Sequence, residues 1–376
     1  MDFSQLTIVI ITKNRSKFLL RNINWWEPTG VKIVVVDGSD TPISSQVINK
    51  FSPNVKYLNS HKSIEERLVI ASNFVATKYV IQSGDDDLFL HSGVDACIKE
   101  LEANSYLVAC IGLTLGFAYL DNALYGKLVY ENASEYGQII NSKASLRVKS
   151  HFENYECTCF YGVIRTNIWK TNVLIIESKE PLPSNLSEIF FELSTVYQGK
   201  TKVINDLMWL RSFENTSQWS QQYPNTDWFL KINNPIRKEI FSRFKYYLFS
   251  DQNKFQLLKT DLFIKFVILK FYLKPIAQKY GFPGLFWILF LPPAYFNANY
   301  NNSFFYYIKS CSKYILKKLQ KYSLSIGNSF NNSSNISKKV QSKKLLKDYI
   351  SERFSPYNQN EIDDLIFQIS NFYRVD

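Results

Sequence analysis

Three apolar runs of strand length constrain the fold more than any other feature. They are Leu6-Thr7-Ile8-Val9-Ile10-Ile11-Thr12, Lys32-Ile33-Val34-Val35-Val36 and Tyr79-Val80-Ile81-Gln82-Ser83. Their hydrophobicity is continuous rather than alternating, as in strands of a parallel sheet buried on both faces. A helical stretch carrying Phe18, Leu19 and Ile23 separates the first two. Parallel strands need such a crossover, and it is right-handed. Each run ends in polar groups: Thr12 to Arg15, Asp37 to Asp40, and Asp85 to Asp87. In an open α/β sheet these ends line one crevice, where ligands bind.

Asp85-Asp86-Asp87 is the most demanding of these ends. Adjacent carboxylates repel one another unless a cation sits among them. A hard divalent ion shared with a substrate phosphate suits that role. The competing reading is a solvated acidic turn before the helix that starts near His91, since carboxylates also favour helix N-termini. The convergence of three polar strand ends favours the ligand site. No Gly-x-Gly-x-x-Gly follows the first strand and no P-loop is present, which disfavours a Rossmann dinucleotide site.

Val55 to Leu58 reads as a weaker strand, and Ser63 to Ala76 as a helix. Ser63 and Glu66 form a capping-box pattern, and Ile64, Leu68, Ala71 and Val75 fall on one stripe beside Arg67. A helix over 92–103 and a buried strand from Tyr106 to Gly112 follow. Residues 113–180 contain shorter strand-like pieces: Leu115 to Leu120, Leu124 to Tyr130 and Cys157 to Ile164. Ser184 to Gln198 reads as a helix with Ser187 able to cap it and Glu188 in its first turn. Glu188 is thus a helix-dipole carboxylate or a catalytic base. Leu207 to Ser212 reads as a strand or short helix with Arg211 near its end.

Five cysteines, an odd number, do not make a disulfide framework, and Cys157 and Cys159 read as reduced core thiols. With strand-like sequence within a few residues of Met1 and Asp2 in place of a basic start, no signal peptide is expected, and the apolar run Leu285 to Leu291 falls well short of the ~20 residues a membrane-spanning helix needs. The expectation is a cytoplasmic protein. The net charge of +11 is uneven: residues 220–376 hold 23 Lys+Arg and 10 Asp+Glu. They are also aromatic and helical in pattern, with Phe241, Phe244 and Leu248 and then Leu262, Phe266, Leu269 and Leu273 at helical spacings. Ser323 to Ser337 reads as a loop, followed by Lys338, Lys339, Lys343, Lys344 and Lys347. This composition suits either an anionic membrane surface or a helical domain with a solvated basic face. No nucleic-acid module is recognisable, so no nucleic-acid partner is expected.

Taken together, the opening Leu6 to Arg15, the Val34-Val35-Val36-Asp37-Gly38-Ser39 segment, Arg67, and Thr77 to Asp87 resemble the family 2 glycosyltransferases of the GT-A fold, in particular bacterial members of surface-polysaccharide clusters. The resemblance covers roughly residues 5–215. It implies an α/β GT-A domain, a Rossmann-like mixed sheet flanked by helices. Residues 1–115 would form its nucleotide-sugar half, 116–215 its acceptor half, and 216–376 a basic, mainly helical C-terminal region containing the loop 323–337. By resemblance, Thr12, Asn14 and Arg15 would border the nucleotide. Asp37 would contact the base, and Arg67 would approach the nucleotide. Asp85 to Asp87 match the DXD signature: Asp85 or Asp86 touches the ribose side, and Asp87 reaches a Mn²⁺ or Mg²⁺ on the diphosphate. Glu188 falls where the family places its base, although Ser187-Glu188-Ile189 stands in place of the usual Glu-Asp pair. Glu192 is the alternative. Arg211 would stabilise the leaving diphosphate. The implied activity is inverting, metal-dependent transfer of a sugar from a nucleoside-diphosphate donor to a glycan or lipid-linked acceptor, and the basic C-terminal composition adds the expectation of a protein peripheral on the inner face of the plasma membrane. A non-catalytic nucleotide- or glycan-binding or scaffold protein of the same fold is the alternative.

Overall fold

The computed structural model describes residues 1–153, 155, 159–179, 182, 184–214, 235–248, 345–354 and 357–374. The chain runs β1 (Leu6–Thr12), α1 (Ser16–Trp26), β2 (Lys32–Asp37), α2 (Ser45–Ile48), β3 (Val55–Asn59), α3 (Ile64–Ser72), β4 (Tyr79–Ser83), β5 (Leu88–Phe89) and α4 (His91–Ala103). It continues with β6 (Leu107–Leu120), β7 (Ala123–Val129), α5 (Ala133–Tyr136), α6 (Ala144–Glu153), β8 (Val163–Arg165), α7 (Thr166–Ile176), α8 (Ser184–Gln198) and β9 (Lys200–Ser212). Three further helices are α9 (Pro235–Leu248), α10 (Leu346–Arg353) and α11 (Gln359–Arg374).

One mixed sheet has the order β3-β2-β1-β4-β8-β6-β9-β5, with β7 paired to β6. Strands β1 to β4 are mutually parallel. Thr12 sits opposite Asp37, Asp37 opposite Asn59, and Ile10 opposite Ser83. All these strands therefore end at one edge. The continuous apolar runs are explained by two cores. Ile8, Ile10, Ile33, Val35 and Ile81 pack on one face of the sheet, and Val9, Val34, Val36 and Val80 on the other. Alternate side chains leave a strand in opposite directions, so helices on both faces demand apolar residues throughout.

Several local expectations change. Residues 107–120 form a single strand, which turns at Asp121-Asn122 into β7. Both turn residues have positive φ, as a two-residue hairpin loop requires. α3 has its expected capping box on Ser63 and Glu66 but stops at Ser72. Cys157 lies outside the described residues; within the rest of the strand expected up to Ile164, Cys159 and Phe160 turn their N–H groups to a buried carboxylate described below, and strand begins at Val163. Ser187 does not cap α8, which begins three residues earlier.

The described C-terminal helices return to the sheet. Ile240, Phe241 and Phe244 of α9 join the core around Phe190 of α8. Leu346, Ile350, Ile362, Leu365 and Ile369 of α10 and α11 join the opposite core. Lys347 pairs with Asp363 between those two helices. The periodic apolar positions from Leu262 to Leu273, the loop 323–337 and Lys338 to Lys344 lie outside the described residues. No helix among the described residues is long and apolar enough to cross a membrane.

Candidate functional site

The crevice at the ends of β1, β2 and β4 is built from the backbone upward. Asp37 is buried and closely held. Its Oδ1 accepts the Ser39 backbone N–H at 2.8 Å and its Oδ2 accepts the Tyr57 hydroxyl at 2.6 Å. Burial first, and the Asp37 carboxylate second, raise the Tyr57 pKa, so the phenol stays a donor. Asn59 donates to the Asp37 and Ser39 carbonyls, and the Asn14 N–H donates to Ser39 Oγ. Asn14 itself is in the left-handed backbone region, which asparagine tolerates.

Arg67 lies beneath this floor rather than in open solvent. Its Nη1 donates to the carbonyls of Thr12 and Val36, bracing the ends of β1 and β2. A Cβ on Gly38 would stand 2.7 Å from the guanidinium, so glycine is needed for this close approach. Burial lowers the Arg67 pKa, and Asp37, Glu65 and Asp85 oppose that effect.

The Asp85–Asp87 turn is gripped from below by α1. Asn22 Nδ2 donates to the Gly84 and Asp87 carbonyls at 2.9 and 2.8 Å, and Arg21 Nη2 donates to the Asp86 carbonyl at 2.9 Å. With the backbone held, the carboxylates take different partners. Asp85 accepts the Thr12 hydroxyl at 2.7 Å and pairs with Arg15 at 2.9 Å. Asp86 pairs with the other nitrogen of the same guanidinium. Asp87 accepts the Ser212 N–H at 2.8 Å, which ties the turn to the end of β9. Burial, with Asp86 adding like charge, pushes Asp85 up to about 6 and Asp87 up to about 7.

This environment fits a divalent cation. The buried Asp87 carboxylate carries like charge from Asp86 that Arg211 only partly offsets, and Arg15 is engaged by its two neighbours. Among the described residues no cluster of three or more His, Cys, Asp or Glu side chains could hold a metal alone. An ion here would share Asp87 with ligand phosphates, the arrangement expected of Mg²⁺ and Mn²⁺.

Opposite the aspartates, β9 presents Arg211. Its Nη1 donates to the Tyr130 hydroxyl, and its guanidinium lies 5.8 Å from the centroids of the Tyr130 and Trp209 rings. Burial works against its charge, but Tyr130, Tyr161, Asp87 and Glu188 outweigh burial and hold its pKa above the ordinary arginine value. Phenols are neutral near pH 7, so the two carboxylates provide the stabilising charge there. Arg211 is thereby placed in the field of both Asp87 and Glu188. The Glu188 carboxylate accepts from the Tyr161 hydroxyl at 3.4 Å, and Tyr161 stacks on Trp209 at 4.2 Å.

Glu192 is placed differently. One turn further along α8, it is 0% exposed, and its Oε1 accepts the N–H groups of Cys159 and Phe160, each at 2.6 Å. His151 Nε2 lies 3.1 Å from its other oxygen. Glu192 organises the turn before β8 and does not reach the crevice. The helical step between Glu188 and Glu192 points both along one side of α8, but only the first lies at the sheet edge. Ser187, meanwhile, donates to the buried Glu65 of α3 at 2.6 Å, fixing the start of α8.

Sequence reasoning missed Arg21, Asn22, Tyr57, Tyr130 and Tyr161. The three tyrosines stand in strand-like runs, Tyr130 at the end of Leu124 to Tyr130, and Tyr57 and Tyr161 inside Val55 to Leu58 and Cys157 to Ile164. Arg21 and Asn22 sit on an ordinary helix face.

Residues 7–170 match the family model described as Glycosyl transferase family 2. Among solved structures, S. aureus TarS 1–349 in complex with UDP-GlcNAc is similar, with 15% identity, 72% of this chain and 73% of that chain covered, and a TM-score of 0.51. TarS 1–349 without that ligand gives 14% identity, 73% of each chain and a TM-score of 0.48. No curated protein matches the chain in sequence. The mixed sheet flanked by helices is a GT-A fold.

Proposed function

We propose that this chain is a metal-dependent, inverting hexosyltransferase. It moves a sugar from a nucleoside-diphosphate donor to a glycan or lipid-linked acceptor in surface-polysaccharide synthesis. The observation that carries the reading is the approach of three elements at one sheet edge. Asp87 accepts the N–H of Ser212, next to Arg211 on β9, and Glu188 of α8 accepts the hydroxyl of Tyr161, whose ring stacks on Trp209 of the same strand. An attacking hydroxyl needs a base, and a leaving diphosphate needs positive charge.

Residues 1–115 would hold the donor and 116–215 the acceptor. Asp37, with Tyr57, is suited to the base, and Thr12, Asn14, Arg15, Asp85 and Asp86 to the nucleoside. Arg67 supports that floor from below. Glu188 takes the acceptor proton, and Arg211 binds the departing diphosphate. A divalent cation at Asp87 would supply Lewis-acid stabilisation of the diphosphate when bound. Arg211 is largely buried, a setting in which its charge would act on a phosphate more strongly than in water. UDP-sugars are the first donors to test, because TarS is described with UDP-GlcNAc.

The basic region 216–376 would hold the protein to the inner face of the plasma membrane. Tyr246, 73% exposed, stands beside Tyr247 and Lys245 at the end of α9, an amphipathic pairing suited to a headgroup layer. Stronger sedimentation with anionic than with neutral liposomes is expected. Equal sedimentation with both would remove the electrostatic anchor.

The test of the catalytic reading is thermal stability with UDP, GDP, CDP and dTDP, each with Mn²⁺, Mg²⁺ or EDTA. A saturating ligand at ~100 times its dissociation constant adds about 2.7 kcal/mol. A metal-dependent rise for one nucleotide, lost in Asp87→Ala, is expected. No rise with any pair would overturn the reading. A binding or scaffold protein of the same fold is the second reading, favoured by the structural engagement of Glu192, whose Oε1 accepts two buried backbone N–H groups. Donor binding with no turnover in any acceptor context, unchanged by Glu188→Gln, would select it.

A further inference from the structure

Tyr130 is a bulky aromatic residue held in the left-handed backbone region, with φ of 58°. That conformation is unfavourable for such a side chain and persists only where the surroundings impose it. It follows directly after β7, and its carbonyl accepts the Ala133 N–H that opens α5. A glycine would satisfy this turn without strain. What a glycine could not do is hold Arg211. The Tyr130 hydroxyl accepts a hydrogen bond from Arg211 Nη1, and its ring lies 6.2 Å from Trp209 at an interplanar angle of 25°. Trp209 in turn stacks on Tyr161, which reaches Glu188. The left-handed turn thus delivers a phenol to the Arg211 guanidinium.

We propose that Tyr130 is a positioning residue that aims the Arg211 guanidinium at the second phosphate of a nucleoside diphosphate. This rests on the reading of Arg211 as the diphosphate cation. Arginine owes its selectivity for phosphate to a planar fork of donors, so its orientation matters as much as its charge. With one nitrogen committed to Tyr130, the plane of the fork is set before any ligand arrives, and less freedom is lost on binding. A nucleoside monophosphate lacks the group that Arg211 is aimed at. The effect of Tyr130 should therefore appear on diphosphates alone.

The experiment uses the full chain and its Tyr130→Phe variant, which keeps the ring and the backbone conformation and removes only the hydroxyl. Calorimetric titration with Mn²⁺ and UDP, GDP, CDP or dTDP is compared with titration by the matching monophosphate. The wild type should prefer one diphosphate over its monophosphate, and Tyr130→Phe should reduce that preference about tenfold, the equivalent of one well-placed hydrogen bond to a charged group. The monophosphate affinity should not change. In Arg211→Lys, adding Tyr130→Phe should have no further effect, as expected for two groups acting as one unit. If Tyr130→Phe keeps the full preference for the diphosphate, the positioning role is overturned and the donor site stands. If the wild type binds none of the diphosphates, the glycosyltransferase reading fails, and the role of Tyr130 fails with it.

Discussion

Arg21 and Glu214 form an ion pair of 2.8 Å inside the protein, with side chains only 3% and 2% exposed. The same Arg21 nitrogen donates to the Asp86 carbonyl, and Ser212 Oγ donates to the same carboxylate of Glu214. Phe372 of α11 covers the guanidinium at 4.6 Å. One buried pair therefore joins the acidic turn, the end of β9 and the C-terminal helix. Removing one partner of such a pair leaves an uncompensated buried charge, which costs roughly 3–5 kcal/mol. Arg21→Met should lower the melting temperature and also weaken metal-dependent nucleotide binding, since the Asp86 carbonyl loses its anchor. Unfolding curves read alongside nucleotide titrations check both effects. Lost stability with unchanged nucleotide affinity would separate the pair from the site.

Asp87 should behave in the opposite way. Its carboxylate is buried beside Asp86, and both facts disfavour its charge. Asp87→Asn relieves that repulsion and keeps the acceptor for the Ser212 N–H. The variant should be as stable as the parent, or more stable by about 1 kcal/mol, while losing metal-dependent nucleotide binding. Paired calorimetry and thermal melts would show it. Metal-dependent binding at full strength in Asp87→Asn would move the cation elsewhere.

The two glutamates of α8 should separate cleanly. Glu192→Ala strips the buried N–H groups of Cys159 and Phe160 of their acceptor, and each unsatisfied group costs about 1–3 kcal/mol. A marked fall in melting temperature is expected. Glu188→Gln should leave the melt within about 0.5 kcal/mol and abolish transfer. Transfer lost in a stable Glu192 variant but kept in Glu188→Gln would reverse the assignment.

His91 makes the fold acid-sensitive. Stacked on Trp25 at 4.5 Å, it has its pKa pushed down to about 4 by burial, against an ordinary 6.5. Between those values the unfolded chain binds the proton and the folded chain does not. Its contribution to stability is therefore complete above pH 6.5 and is lost as the pH falls toward 4, by roughly 3 kcal/mol at most. Glu361 is the charged group facing it, with its Oε1 3.9 Å from His91 Nδ1 and its carboxylate accepting the His91 and Ser92 N–H groups. Burial raises the Glu361 pKa, so its own contribution runs in the opposite direction. His91→Phe should flatten the loss of stability between pH 6.5 and 4 relative to the parent. An unchanged profile would assign the acid sensitivity elsewhere.

By itself the sequence determined the parallel strands, the capped helix after Ser63 and the gathering of Thr12, Asp37 and Asp85 at one edge. These follow from local pattern: continuous apolar runs, a three-residue cap spacing, and the fixed hand of βαβ crossovers. Only the tertiary structure decided which polar groups face the crevice and which are used inside the protein. Glu188 and Glu192 have the same chemistry one helical turn apart, and packing of the turn before β8 alone separates them. Glu361 is joined to the start of α4, and Glu214 to Arg21, across separations in sequence of 270 and 193 residues. No periodicity carries information over such distances. The partners of a buried charge are chosen by the assembled fold, because only there does the cost of leaving it unpaired take effect.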